Sequence, residues 1–284
     1  MIIGLIAHAG KEGAGNLVQT ITTELDRRQA HYLLEKQTAA LVGKITDLDE
    51  NTLAAKCDLL IVMGGDGSIL RALHRSGGHI RPILGINIGS LGFLTCLGSD
   101  EYQRAVDCAL GGNYLLSQRS LLDVTIAGPE GLVPLERALN EVTISRGERS
   151  QLVKLQASVG GDALTEYHAD GLIIATPTGS TAYSLAAGGP ILMPDSGALV
   201  ITPVCPHVLS NRSLVISDKS EVIIRAVGTQ EVFVSVDGRP PHALKPSQHV
   251  LMKLSPMTLP LVMMPGTSFP DILRQKLKWT GSNV

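Results

Sequence analysis

The stretch Asp58-Leu-Leu-Ile-Val-Met-Gly-Gly-Asp-Gly-Ser68 decides how the first half of the chain is read. Leu59 to Met63 is an unbroken apolar run, the pattern of a strand buried on both faces of a parallel sheet. Glycines at 64, 65 and 67 follow at once, and a helical period begins at Ser68 and runs to about Arg75. Strand, glycine turn and helix in succession are the unit from which α/β domains are built. Working outward, Ile2–Ala7 and Pro82–Ile86 read as further buried strands. Asn16 and Gln19 read as a capping box for a helix that carries Leu17, Ile21 and Leu25 on one face. Asp100 and Gln103 open another helix, which stops at Gly111-Gly112. The expectation is an N-terminal α/β domain with a Rossmann-like parallel sheet over residues 1–97.

Beyond about residue 113 the rhythm changes. Short apolar runs recur at 121–127, 139–145, 152–159, 171–175, 199–204, 221–227, 231–236 and 249–254, separated by glycine, proline and polar turns. That spacing is the signature of antiparallel sheets. Residues 98–264 are therefore expected to form an all-β, sandwich-like C-terminal domain. Phe269–Trp279 regains a helical period, and the segment 265–284 is expected to pack back on the first domain.

Composition narrows the function. The chain has 284 residues, 44% of them hydrophobic, and its 24 Lys+Arg against 26 Asp+Glu leave a net charge of −2. A core of good size follows, while disorder and a strongly basic nucleic-acid binder are disfavoured. No apolar run approaches the length needed to span a bilayer, so no membrane partner is expected. Met1–Ala7 lacks the basic flank of a signal peptide and reads as a strand. Cys57, Cys96, Cys108 and Cys205 are scattered without zinc spacing, which fits a reducing cytoplasm and no structural metal. His8, His74 and His79 lack metal spacing too and read as solvated or core histidines.

Three segments carry chemistry. Gly64-Gly65-Asp66-Gly67-Ser68 presents free N–H groups and a helix N-terminus, a cradle for phosphate. Asp66 is out of place there, because a carboxylate repels phosphate unless a cation or a substrate hydroxyl lies between them. Both conditions describe phosphoryl transfer, with the carboxylate orienting the hydroxyl and taking its proton. Arg71, one turn on, can reach a phosphate. The plain alternative is a strand-to-helix turn capped by Asp66 or Ser68. Neither a Walker A sequence nor a complete GxGxxG occurs, which disfavours P-loop enzymes and ordinary dehydrogenases. Asn140-Glu141 interrupts an apolar strand, where a sugar and a base edge could satisfy both side chains, or where the chain simply turns a corner. Asp170-Gly171 leads a strand into Thr176-Pro-Thr-Gly-Ser-Thr-Ala-Tyr-Ser184, a hydroxyl-rich turn whose small residues admit a flat ligand, or which is simply a capped helix start packed closely on a sheet. Tyr183 offers such a ligand a stacking face.

With these segments in this order, the sequence resembles the ATP-NAD kinases. The resemblance rests on Gly64–Ser68, on Gly85-Ile-Asn87 through Leu91–Thr95, on Asn140-Glu141, Asp170-Gly171, Thr176–Ser184 with Gly188-Gly189-Pro190, and on Val236-Asp237-Gly238. It implies phosphorylation of the adenosine-ribose 2′-hydroxyl of NAD by ATP with a divalent metal, Mg²⁺ or Mn²⁺, held without dedicated protein ligands. Asp66 then matches the proton acceptor. Gly67, Arg71, Asn140, Glu141, His168, Asp170, Thr181, Ala182, Tyr183, Ser184, Leu185, Ala186 and Arg239 match substrate contacts. It also implies a homo-oligomer, dimer or tetramer. This chain departs from the pattern at Ser68, where threonine is usual, at Ile88, at His168, where some members carry arginine, and at Arg239, where glutamine is common. Two alternatives share parts of the pattern. A diacylglycerol-type lipid kinase carries GGDG but needs a basic, apolar membrane face, and a non-catalytic dinucleotide sensor would not need Asp66.

Overall fold

The computed structural model describes residues 1–90, 92–148, 151–208 and 210–279. The chain divides into two compact units, Met1–Gln118 with the segment from Leu259 onward, and Arg119–Thr258. The division at 118 falls later than the expected boundary at 97, because the helix Tyr102–Gly111 buries Ala105, Val106 and Ala109 in the first core. Residues 259–264, expected in the β-rich domain, belong to the first unit as well.

The first unit runs β1 (Ile2–Ala7), α1 (Ala14–Arg27), β2 (His31–Leu34), α2 (Lys36–Ala40), α3 (Glu50–Lys56), β3 (Leu59–Gly64), α4 (Asp66–Arg75), β4 (Ile83–Asn87), β5 (Leu97–Gly98) and α5 (Tyr102–Gly111). Its sheet has the order β2-β1-β3-β4, all parallel, with β5 parallel on β4. Every residue of β3 is buried, as its unbroken apolar run requires. Val18, Ile21 and Leu25 of α1 pack into the same core as Ile61 and Met63. Two local expectations are corrected. The first helix starts at Ala14 behind Gly13, whose φ of 82° makes the turn by backbone alone, so Asn16 and Gln19 lie inside the helix and form no capping box. The helix expected from Ser68 starts two positions earlier, and its N-cap is Gly65, with no side-chain cap from Asp66 or Ser68.

The second unit holds β6 (Leu115–Gly128), β7 (Gly131–Pro134), β8 (Glu141–Arg146), β9 (Val153–Val159), β10 (Asp162–Ala169), β11 (Gly171–Ala175), the short α6 (Tyr183–Ala186), β12 (Ala198–Val204), β13 (Leu214–Ser217), β14 (Val222–Val227), β15 (Val232–Val236), β16 (His242–Leu244) and β17 (His249–Met263). Strands β6 and β17 each begin in one unit and end in the other. One sheet has the order β13-β12-β11-β8-β15-β16, antiparallel throughout. The other runs β10-β9-β14-β17, with β6 beside β17 and β7. Val142, Ile144, Leu172 and Ile174 of the first sheet share one core with Val153, Leu155, Ile224 and Met252 of the second, which makes the unit a sandwich. After β17, Ser268 caps α7 (Phe269–Leu277) in a capping box with Asp271. Phe269, Ile272 and Leu273 are its buried face. Residues 280–284 of the segment expected to return to the first domain lie outside the described residues, as does Leu91 of the loop after β4.

Candidate functional site

Each unit carries its own cluster of candidate residues. In the first, β1, β3 and β4 end side by side, and the turn after β3 carries Asp66 at the first position of α4. Its carboxylate accepts the N–H of Phe93 at Oδ2 (2.8 Å) and of Leu94 at Oδ1 (3.0 Å). Gly92 supplies the space: a Cβ there would lie 1.9 Å from Asp66 Oδ1. The loop after β4 thus fixes the rotamer of Asp66 while leaving each oxygen a second lone pair. Gly67 is exposed, and a methyl group on it would meet nothing within 4 Å among the described residues. Arg71 donates to the Ala7 carbonyl (3.1 Å) and stands 3.9 Å from Glu50. Asn87 donates to the Gly89 carbonyl (2.6 Å), while its Oδ1 is buried without a hydrogen-bond partner.

In the second unit Asp237 is the organiser. Its carboxylate accepts the backbone N–H groups of Leu139 (2.8 Å), Asn140 (2.8 Å) and Glu141 (3.0 Å). Its own φ of 48° places it in the left-handed region, where Asp and Asn are the side chains best tolerated. Thr176 ties the hydroxyl-rich turn to the same corner, its Oγ1 donating to the Leu139 carbonyl (2.5 Å) and its N–H to the Asn140 carbonyl (2.9 Å). The turn can approach because residue 179 is glycine; a Cβ there would lie 2.0 Å from the Asn140 oxygen. The Tyr183 N–H donates to the Glu141 carboxylate, which brings Asn140-Glu141 and the start of α6 together.

Glu141 is buried, and its Oε2 has no hydrogen-bond partner. Burial, reinforced by the Asp237 charge, pushes its pKa up to about 7, with the Tyr183 N–H opposing. Asp170 accepts from Arg146 Nε (2.6 Å) and, with Arg146, Thr143, Ser145 and the exposed ring of Tyr183, lines a cavity of about 330 Å³. Ala182 and Ala186 follow one another along the short helix (Ala186 N–H to Ala182 O, 3.4 Å), with Leu185 between.

Other expected contacts are already engaged. The Ser184 hydroxyl is buried and shares a 2.9 Å hydrogen bond with Thr202. Thr181 donates to the Thr178 carbonyl. His168 sits on β10 against Glu166 (2.8 Å), a strand the sequence spacing does not reveal, and Arg239 pairs with Glu136 (3.0 Å). The organising role of Asp237 is the feature that sequence reasoning missed. A carboxylate followed by Gly238 at the end of a strand is its one signal.

Comparison with known proteins decides the family. The ATP-NAD kinase N-terminal domain matches residues 3–114, and the ATP-NAD kinase C-terminal domain matches residues 139–264. The chain belongs to the ATP-NAD kinase family. An NAD kinase of Symbiobacterium thermophilum is 41% identical over 279 residues, covering 97% of this chain and 98% of its own. One of Geobacter metallireducens is 39% identical over 267 residues, covering 94% and 93%. The fold is that of a yeast NADH kinase solved with NADH (TM-score 0.90, 24% identity, covering all of this chain and 89% of its own). It is also that of an Archaeoglobus fulgidus NAD kinase solved with ATP (TM-score 0.77, 22% identity, covering 99% and 100%). As an ATP-NAD kinase the chain is an ATP-dependent phosphotransferase, and the lipid kinase and the non-catalytic sensor gain no support. Among the described residues no helix is long and apolar enough to cross a membrane.

Proposed function

We propose that the chain transfers the γ-phosphoryl group of ATP to the 2′-hydroxyl of the adenosine ribose of NAD, with Asp66 as the proton acceptor. The observation that carries this reading is the Asp66 carboxylate, pinned by the Phe93 and Leu94 N–H groups in a glycine turn at the carboxyl end of a parallel sheet. A fixed carboxylate with a free lone pair on each oxygen orients a hydroxyl and receives its proton as the phosphoryl group departs from the donor. In the second unit the partnerless Glu141 Oε2 is an acceptor for ribose hydroxyls, Asn140 offers a base edge its amide, and Tyr183 gives a ring a face to lie on.

The residues present fit a divalent cation. Asp66 and the partnerless Asn87 Oδ1 are hard oxygen donors, and Mg²⁺ or Mn²⁺ held by few protein oxygens takes the rest of its shell from phosphates and water. When bound, the ion would neutralise phosphate charge. Asp170, held by Arg146, and His168, held by Glu166, are substrate contacts in this reading, as are Thr181 and Arg239. We further place the protein in the cytoplasm, as a homo-oligomer.

The test is a coupled assay of NADP⁺ formation from NAD, ATP and Mg²⁺, run in parallel with NADH. Asp66→Asn should lower kcat about 10²–10⁴-fold while calorimetric binding of NAD changes little. Turnover equal to that of the wild type would remove Asp66 from the chemistry.

A further inference from the structure

The mechanism just described leaves unused a group of polar side chains on the first unit, at the same carboxyl edge of the sheet. Among the described residues three atoms at this edge are buried without a hydrogen-bond partner: His8 Nδ1 and Ser68 Oγ, which no role above uses, and Asn87 Oδ1, the donor offered to the cation. Ser68 and Asn87 are only 3% and 2% exposed, so water does not satisfy them from the surface. Buried polar atoms of this kind are rare unless something else completes them. They surround one short piece of backbone. A Cβ on Gly64 would lie 2.1 Å from Ser68 Oγ and 3.3 Å from His8 Cβ. A Cβ on Gly65 would lie 3.4 Å from Lys11 Nζ and 3.9 Å from Asn87 Oδ1. The loop between β1 and α1 therefore lays a lysine ammonium across the glycine turn.

Lys11 is held there. Its Nζ donates to the Ile88 carbonyl at 2.6 Å, and the Ile88 N–H donates to the Gly64 carbonyl at 3.0 Å. One ammonium hydrogen is spent on this link and two remain. Two glycines without side chains, the N-terminus of the ten-residue helix α4, a fixed ammonium and an unpartnered imidazole nitrogen together make a receptor for a chain of phosphates. No Walker lysine exists in this sequence, so a P-loop cannot supply that charge.

We propose that Lys11, with His8 beside it, binds the phosphate tail of the phosphoryl donor over Gly64-Gly65 and takes up the charge that develops on the leaving group. This rests on the phosphoryl-transfer reading above. In that reaction the ribose 2′-oxygen forms a bond to the γ-phosphorus and its proton passes to Asp66. The bond from the γ-phosphorus to the β,γ-bridging oxygen breaks, and its electron pair stays on the ADP oxygen. Lys11 stabilises that oxygen, whose charge is greater in the transition state than in bound ATP, so its effect falls on kcat as well as on donor binding.

The experiment compares wild type, Lys11→Gln, Lys11→Arg and His8→Ala by calorimetry with inorganic tripolyphosphate and with NAD, and by steady-state kinetics with ATP varied. Gln keeps a donor for the Ile88 carbonyl but carries no charge, which separates phosphate binding from the loop link. Lys11→Gln should weaken tripolyphosphate binding and raise the KM for ATP on the order of ten- to a hundredfold, lower kcat, and leave NAD affinity within about twofold. Lys11→Arg should recover part of the loss, and His8→Ala should show a smaller one. Tripolyphosphate affinity and ATP kinetics unchanged in Lys11→Gln would overturn the proposal, as would a wild type that does not bind tripolyphosphate. If the wild type formed no NADP⁺ yet Lys11→Gln still lost tripolyphosphate, the reaction assigned above would fall while the phosphate site stood.

Discussion

A Cβ at Gly92 would sit 1.9 Å from the Asp66 Oδ1, so the absence of a side chain on one loop sets the position of the carboxylate on another. The oxygen that would be struck is the one that accepts the Leu94 N–H. Gly92→Ala therefore forces either Asp66 or the loop after β4 to move. Both movements break the hydrogen bonds that aim the carboxylate. Displacement of a reacting group by about 1 Å can cost on the order of 10²-fold in rate. The expected outcome is a fall in kcat of that order with NAD binding retained, measured by the coupled assay and by calorimetry. A Gly92→Ala enzyme with full kcat would show that Asp66 need not be held where it is.

Asp237 does for the second unit what this loop does for Asp66. Three backbone N–H groups end on one carboxylate, and Ala at that position leaves all three without their acceptor while keeping an unfavourable positive φ. Asp237→Ala is expected to raise the KM for NAD on the order of tenfold or more, with a smaller change in kcat, because the corner presenting Asn140 and Glu141 loosens. Asp237→Asn tolerates the same φ and keeps one acceptor oxygen, so it should recover part of the loss. Equal KM values for wild type and Asp237→Ala would reduce the residue to a turn former.

The parallel sheet was legible because β3 is buried at every position, and a strand covered on both faces has no choice but an unbroken apolar run. The β-rich unit was legible from the spacing of its turns. What could not be read is local and tertiary. Asp162–Ala169 forms the edge strand β10 with five exposed residues at its start, so no alternation marks it. Gly13 opens α1 through its backbone, which overrides the capping pattern of Asn16 and Gln19. In the site, residue types pointed to Asp66, Asn140, Glu141 and Tyr183, since a carboxylate among glycines and a polar pair in an apolar strand violate local rules. Ser184 follows the same motif, yet its hydroxyl is spent on Thr202, a partner 18 residues away that no spacing announces. The grip of Asp237 on Asn140 crosses 97 residues and is likewise invisible along the chain.

The raised pKa of Glu141 makes stability depend on pH in a definite direction. The ordinary value of 4.5 applies to the unfolded chain, and the folded value is about 7. The folded state therefore resists ionising this group. No penalty exists below pH 4.5; it grows as pH rises toward 7 and is complete above it, on the order of 3 kcal/mol. Glu141→Gln carries no such penalty. The stability of the variant relative to wild type should increase between pH 5 and pH 8, read from urea midpoints at the two values. Parallel pH profiles for the two proteins would mean that Glu141 ionises as easily folded as unfolded.

Gly67 poses the opposite question from Gly92. It lies within the first turn of α4, is exposed, and has open space where a Cβ would be. Among the described residues nothing requires glycine there. In a helix, Gly costs about 0.5–1 kcal/mol relative to Ala, because the unfolded chain loses more freedom on folding. Gly67→Ala is thus expected to stabilise the first unit by about that amount, seen as a higher midpoint of thermal or urea unfolding. If the empty volume is where substrate or donor approaches the backbone, the same methyl group stands in its way. The expected result is a more stable protein with a kcat/KM for ATP or NAD lowered on the order of tenfold, the loss of one well-formed contact. Higher stability with unimpaired turnover would show that the ligand passes elsewhere, and lower stability would show that the backbone at Gly67 is not relaxed helix.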